Sequence, residues 1–123
     1  MNNGIWLISD KKENAVLRKK AVPFDFSKYN KKQIEELIRE MRSMMKRAHG
    51  VGLAANQVGL NFSIFVAQIP KSNGGMEFYA IFNPKIEGLA GKKILREEGC
   101  LSVPGLVGEV ERCTRVTVRG LNR

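Results

Sequence analysis

Apolar residues recur at intervals of three and four between Ile34 and Ala48: Ile34, Leu37, Ile38, Met41, Met44, Met45 and Ala48. That spacing lines them along one face of an α-helix. Lys31, Lys32, Glu35, Glu36, Arg39, Glu40 and Arg42 mostly fill the opposite face. Asn30 stands as the N-cap and Gln33 at the capping-box position. Lys46, Arg47 and His49 fall in the last turn, where cations suit the helix dipole, and Gly50 is expected to end the helix. The methionines read as core fillers rather than as an adaptable binding surface.

On either side the period changes. Residues 1–10 read as a short extended arm. Lys11 to Lys20 reads as a turn or short helix that Pro23 stops. Phe24 and Phe26 flank Asp25 as apolar anchors. After Gln57 the pattern becomes strand-like. Phe62–Ala67 and Met76–Phe82 are short apolar runs, the first bounded by Asn61 and Pro70 and the second closed by Asn83-Pro84. Lys71–Gly75 is a turn-rich loop. Lys85–Glu87 continues past a bend, Gly88–Gly91 reads as a loop, and Lys92–Arg96 as a further strand. Val107 and Val110 fall on another. In Thr114–Leu121, Val116 and Val118 alternate with Arg115, Thr117 and Arg119, the pattern of a strand with one wet face.

These elements predict an α+β fold: one long N-terminal helix packed on an irregular antiparallel sheet. The 123 residues fit a single domain, 1–123, with no repeat or linker. With 43% apolar residues the chain can form a packed core, and disorder is not expected. No apolar run approaches the roughly 20 residues of a membrane helix. Ile5-Trp6-Leu7-Ile8 has neither the basic flank nor the cleavage site of a signal peptide, so no membrane partner and a cytoplasmic location are expected. Cys100 and Cys113 are too few, without an export signal, for a disulfide framework. The formal net charge of +9 admits an anionic partner such as RNA. The cations are nevertheless scattered in pairs and triplets among acids, which favours solvated faces over a binding patch and predicts no specific DNA target.

Two stretches carry candidate chemistry. Gly50-Val51-Gly52-Leu53-Ala54-Ala55-Asn56-Gln57 holds a glycine-rich turn and a carboxamide. Its Gly50, Gly52 and Ala55 also fit a loose dinucleotide fingerprint, but that motif must follow a strand, and here it follows a helix. A helix cap and turn would explain Gly50 and leave Gln57 without a reason. Glu98-Gly99-Cys100-Leu101-Ser102 sets a thiol beside a carboxylate. Cys100 reads either as a metal thiolate or as a buried small hydrophobe. Ser102-Val103-Pro104-Gly105 reads as an ordinary turn. His49, the one histidine, reads as a capping or surface residue.

At these residues the chain resembles the peptide deformylase family, whose first two motifs, G-x-G-L-A-A-x-Q and E-G-C-L-S, are both present without mismatch. The resemblance runs from about residue 9 to the last residue. It implies that Cys100 is the thiolate ligand of a divalent metal, iron(II) foremost, with zinc or nickel as alternatives. It implies that Gln57 and the backbone N–H of Leu101 are the two donors of an oxyanion hole. Glu98 would pair with Arg112 and fix the loop presenting Cys100. Val51 and Gly52 would offer backbone groups to an extended peptide. The implied reaction is hydrolysis of the formyl group of N-formylmethionine on nascent polypeptides, which makes the ribosome a candidate partner. Arg96 stands where the family often has an apolar residue near the substrate.

The family's third motif, H-E-x-x-H, does not occur in these 123 residues. Two histidine ligands and the glutamate base belong to it, on a helix that fills the concave side of the sheet. The expectation is therefore a C-terminally truncated, deformylase-like domain lacking that helix and inactive by itself. An inactive paralogue, or a helix supplied by a separate chain, are the other readings of the same absence. A non-catalytic basic binding module contacting ribosomal RNA is the alternative from a different class, and an uncovered, aggregation-prone fragment is the third.

Overall fold

The computed structural model describes residues 4–122. Met1 to Asn3 of the expected arm, and Arg123, lie outside the described residues. The element order is α1 (Lys11–Arg18), α2 (Lys31–Arg47), β1 (Gly52–Ala54), β2 (Ile64–Pro70), β3 (Met76–Cys100) and β4 (Val103–Asn122). Short 3₁₀ turns occupy Phe26–Lys28 and Ala55–Val58. The strands form one antiparallel sheet in the order β1-β2-β3-β4, as expected of the α+β class.

Helix α2 begins as its sequence requires. Asn30 accepts from the Gln33 N–H at 2.8 Å, and Gln33 returns a 2.9 Å bond to the Asn30 N–H. Met41 and Met45 are fully buried. They pack with Ile5, Phe24, Leu53, Ile64, Val66, Ala80 and Phe82 in one core. Phe24 is its aromatic centre, with the rings of Phe26, Tyr29, Phe62 and Phe82 at 4.7 to 5.3 Å. Helix α1 forms because Asp10 caps it, accepting from Glu13 N–H at 3.0 Å. Its Glu13 in turn accepts the Leu7 N–H at 2.8 Å, which fixes the arm.

The strand boundaries differ from the sequence reading. β2 starts at Ile64 rather than Phe62 and runs to Pro70. The three pieces read between Met76 and Arg96 are one strand, β3, and the pieces after Val103 are one strand, β4. Asn83-Pro84 and the glycines do not end β3; they sit at shifts of register between Phe82 and Lys85, Ile86 and Gly88, and Ala90 and Lys93. Asn83 takes a left-handed φ of 54°, and its side chain makes two bonds to the Phe24 backbone, at 2.7 and 3.1 Å. Gly91, with φ +84°, has no room for a Cβ, which would fall on Thr114 Oγ1.

The end of α2 is a second correction. Gly50 does not supply the left-handed residue; His49 does, with φ 58°. The His49 N–H bonds the Lys46 carbonyl and the Gly50 N–H the Met45 carbonyl, the paired bonds of a Schellman cap. Gly50 is needed for space: a Cβ there would stand 2.7 Å from Leu101 Cδ1. The glycine thus lets the end of α2 approach the tip of the β3–β4 hairpin.

Candidate active site

Two pieces of backbone deliver the site. After the α2 cap the chain makes β1, whose three residues pair Gly52 with Ala67, Leu53 with Val66 and Ala54 with Phe65. It then tightens into the 3₁₀ turn that carries Gln57. The Ala54 N–H donates to Gln57 Oε1 at 2.9 Å. A backbone N–H can only donate, so the amide oxygen is held there and the NH₂ end points away. From the other side comes the tip of the hairpin. Cys100 pairs with Val103 across the two-residue turn Leu101-Ser102, while Gly99 pairs with Val107. That jump in register leaves Pro104, Gly105 and Leu106 looped out on β4. The turn is therefore Cys100–Val103, with Leu101-Ser102 at its centre, two positions earlier than the Ser102–Gly105 turn the sequence suggests.

The two pieces meet. Gln57 Nε2 lies 3.6 Å from Cys100 Sγ and donates to Ser102 Oγ at 3.1 Å. Backbone bonds from the arm brace the same junction: Trp6 N–H to the Gln57 carbonyl at 2.6 Å, and Ile8 N–H to the Ser102 carbonyl at 3.1 Å. Behind the thiol, Arg112 grips Glu98 with two parallel bonds, 2.8 and 3.0 Å. Those bonds hold the Glu98 carboxyl below its ordinary value. Cys100 and Cys113 are both free thiols.

A groove of about 780 Å³ runs past this junction, lined on one side by His49 to Gly52 and on the other by Gly99 to Leu101 and Val103 to Val107, with Gln57 at its floor. Val51 is 75% exposed at its edge. The Val51 carbonyl is engaged by the Gln68 N–H at 2.9 Å. Successive residues of a strand face alternate edges, so it is Gly52 whose backbone groups turn to the open side. β1 is an edge strand and can accept one more strand there. A smaller cavity of about 310 Å³ lies on the other side of the thiol, between Cys100, Gln57 and the Leu17-Arg18 end of α1.

Of the residues singled out in the sequence, Gln57, Cys100 and Leu101 converge at the groove, Val51 and Gly52 form its rim, and Glu98 and Arg112 pair behind it. His49 lines the same groove. Three contributors are not apparent from the sequence: the Ser102 hydroxyl, the Ala54 N–H and the backbone of the arm. The serine lies inside the second motif, a small polar residue in an apolar turn, and that was its one visible signal.

Among the described residues no group of three or more His, Cys, Asp or Glu side chains could hold an ion. Cys100 brings one soft donor, and a closed divalent site wants three or four. The donors present do not by themselves fit a metal.

The family model described as polypeptide deformylase matches residues 6–123. A peptide deformylase of Halothermothrix orenii is 47% identical over 108 residues, covering 88% of this chain and 66% of that protein. One of Chloroflexus aurantiacus is 36% identical over 122 residues, covering 90% of this chain and 63% of its own length. The chain thus spans just under two thirds of these curated relatives. Among solved structures, a Met-Ala-Ser-bound class I type b peptide deformylase of Acinetobacter baumannii superposes with a TM-score of 0.82 at 28% identity, covering 96% of this chain and 75% of that one.

Proposed function

The chain belongs to the polypeptide deformylase family, and we propose that it carries the thiol and oxyanion-binding half of a site that removes the formyl group from N-formylmethionine at the start of a new polypeptide. One observation supports this most. The Gln57 carboxamide is fixed at its oxygen by Ala54 and offers its NH₂ end toward Cys100, 3.6 Å away, at the floor of an open groove.

The chemistry of the chain's own residues follows from that arrangement. Hydrolysis of a formamide develops negative charge on the formyl oxygen. A donor already aimed at that charge needs no reorganisation as the charge forms, and removing one such donor costs on the order of 100- to 1000-fold in kcat. Gln57 Nε2 is the first donor and the Leu101 N–H the second. The edge of β1 at Gly52 would take the peptide as an added strand. The A. baumannii neighbour holds a peptide beginning with methionine, which supports an extended ligand of that kind. Glu98 and Arg112 stiffen the hairpin tip that presents Cys100.

Cys100 would supply one thiolate to a divalent metal, iron(II) foremost, with zinc or nickel as alternatives. The other ligands and the proton acceptor are assigned to residues outside 1–123. Action on nascent chains would place the protein in the cytoplasm, close to the ribosome.

The test is to join the C-terminal part of the H. orenii relative to this chain, load the product with iron(II), and assay formate release from an N-formylmethionyl peptide. Release is expected from the joined protein, and none above background from residues 1–123 alone. A folded, metal-loaded joined protein without activity would refute the reading, and brisk turnover by 1–123 alone would refute the division of the site. Metal retained after dialysis is expected to disappear with Cys100→Ser; equal retention would remove Cys100 from the ligand set.

A further inference from the structure

Ser102 stands apart from its surroundings. From Asn83 to Asn122 it is the one fully buried residue, at 3% exposure, the others being half-buried or exposed. Its burial is polar, and a polar group withdrawn from water must be bonded or it destabilises the fold. The Ser102 hydroxyl meets that need by accepting from Gln57 Nε2 at 3.1 Å.

We infer that Ser102 is the positioning residue that sets the rotation of the Gln57 carboxamide. The amide is tied at both ends, by the Ala54 N–H at Oε1 and by Ser102 Oγ at Nε2. Turning it over would set its NH₂ group against the Ala54 N–H, two donors face to face. With one Nε2 proton committed to Ser102, the second is directed at the thiol side of the groove. The backbone of the same two residues is held separately, by Trp6 and Ile8 of the arm. Removing the hydroxyl therefore frees the Nε2 end of Gln57, while the Ala54 N–H still holds Oε1 and the arm still holds the turn. The catalytic part of this inference rests on the reading of Gln57 as an oxyanion donor; the positional part does not.

The experiment uses residues 1–123 with ¹⁵N-labelled glutamine side chains. In the unsubstituted chain the two Nε2 protons of Gln57 are expected to exchange with water at unequal rates. In Ser102→Ala the slower one is expected to exchange at least about tenfold faster, while the Trp6 and Ile8 backbone amides keep their protection. Ser102→Thr, which retains a hydroxyl, is expected to restore the pattern. An unchanged Gln57 signal in a folded Ser102→Ala variant would overturn the inference. So would equal, water-like rates in the unsubstituted chain, which decides the matter even if the alanine variant does not fold. In the joined protein, Ser102→Ala is expected to lower kcat about tenfold with KM little changed, the mark of a contact that matters in the transition state. If the Gln57 signal responds but the joined protein releases no formate, the deformylase reading falls and the positioning role stands. If formate is released and neither kcat nor the Gln57 signal responds, the positioning role falls alone.

Discussion

The sheet has two ends that share one hydrogen-bonding pattern and differ in almost everything else. In the first, β1, β2 and the start of β3 lie under α2, and Leu53, Ile64, Val66, Ala80 and Phe82 are buried. In the second, β3 and β4 continue as a two-stranded ribbon whose apolar residues face water: Ile86, Leu89, Leu95, Leu106 and Val107 are each more than 60% exposed. Cross-strand ladders alone do not hold such a ribbon, since an isolated hairpin is marginal in water. Glu97 even faces Glu109 in register, a like-charge pair that weakens it. What anchors the ribbon is its tip, where Ser102 and Leu101 return to the packed body. The site is built at that return. It inherits rigidity from one end and openness from the other.

The largest expected effect that tests this contrast is in amide exchange. Val66 and Ala80 are expected to exchange about a thousandfold more slowly than Leu89 and Val116, as befits a core unit against an uncovered one. Equal protection along β3 would erase the distinction. Next comes truncation of side chains. Phe82→Ala, at a fully buried position, is expected to cost about 3–5 kcal/mol by denaturant unfolding. Leu95→Ala on the ribbon is expected to stay within about 0.5 kcal/mol. A large loss at Leu95 would mean that the ribbon is covered in solution. The smallest effect concerns the Glu98–Arg112 clamp. Its carboxyl titrates below the ordinary 4.5, because Arg112 bonds the charged form. The clamp is therefore intact above that value and is lost as the pH falls through the depressed one. Acidification into that range is expected to speed exchange of the Gly99 and Cys100 amides, and Arg112→Met to do so at neutral pH. A tip indifferent to both would show that the clamp does not stiffen it.

The packed end was the legible one. The three-and-four spacing from Ile34 to Ala48, with Asn30 and Gln33 ahead of it, specifies both the helix and its buried methionines, because burial on one face imposes that period. The ribbon was not legible in that way. The alternation read in Thr114–Leu121 does fall on a strand, but Val116 and Val118 are 56% and 45% exposed, so neither face is covered; Asn83-Pro84, Gly88 and Gly91 read as breaks, where the chain instead absorbs them as shifts of register. Gly50 illustrates a different limit. Its sequence position suggests a left-handed cap, but its reason is the nearness of Leu101, half the chain away, which no local pattern carries. The approach of Gln57 to Cys100 is likewise a product of the folded chain; the paired motifs pointed to it only through resemblance. The role of the Ser102 hydroxyl is not legible locally, because a small polar residue ahead of Val103-Pro104-Gly105 fits a plain turn equally well.

The short arm has a consequence for the order in which the protein takes shape. Trp6 and Ile8 leave the ribosome early, yet their acceptors, Gln57 and Ser102, follow roughly fifty and ninety residues later. Contacts so distant along the chain close slowly, because a long loop must first be ordered. Made before either acceptor, the arm is thus among the last segments to be tied down, and during that wait Ile5 and Trp6 are open to chaperones and proteases.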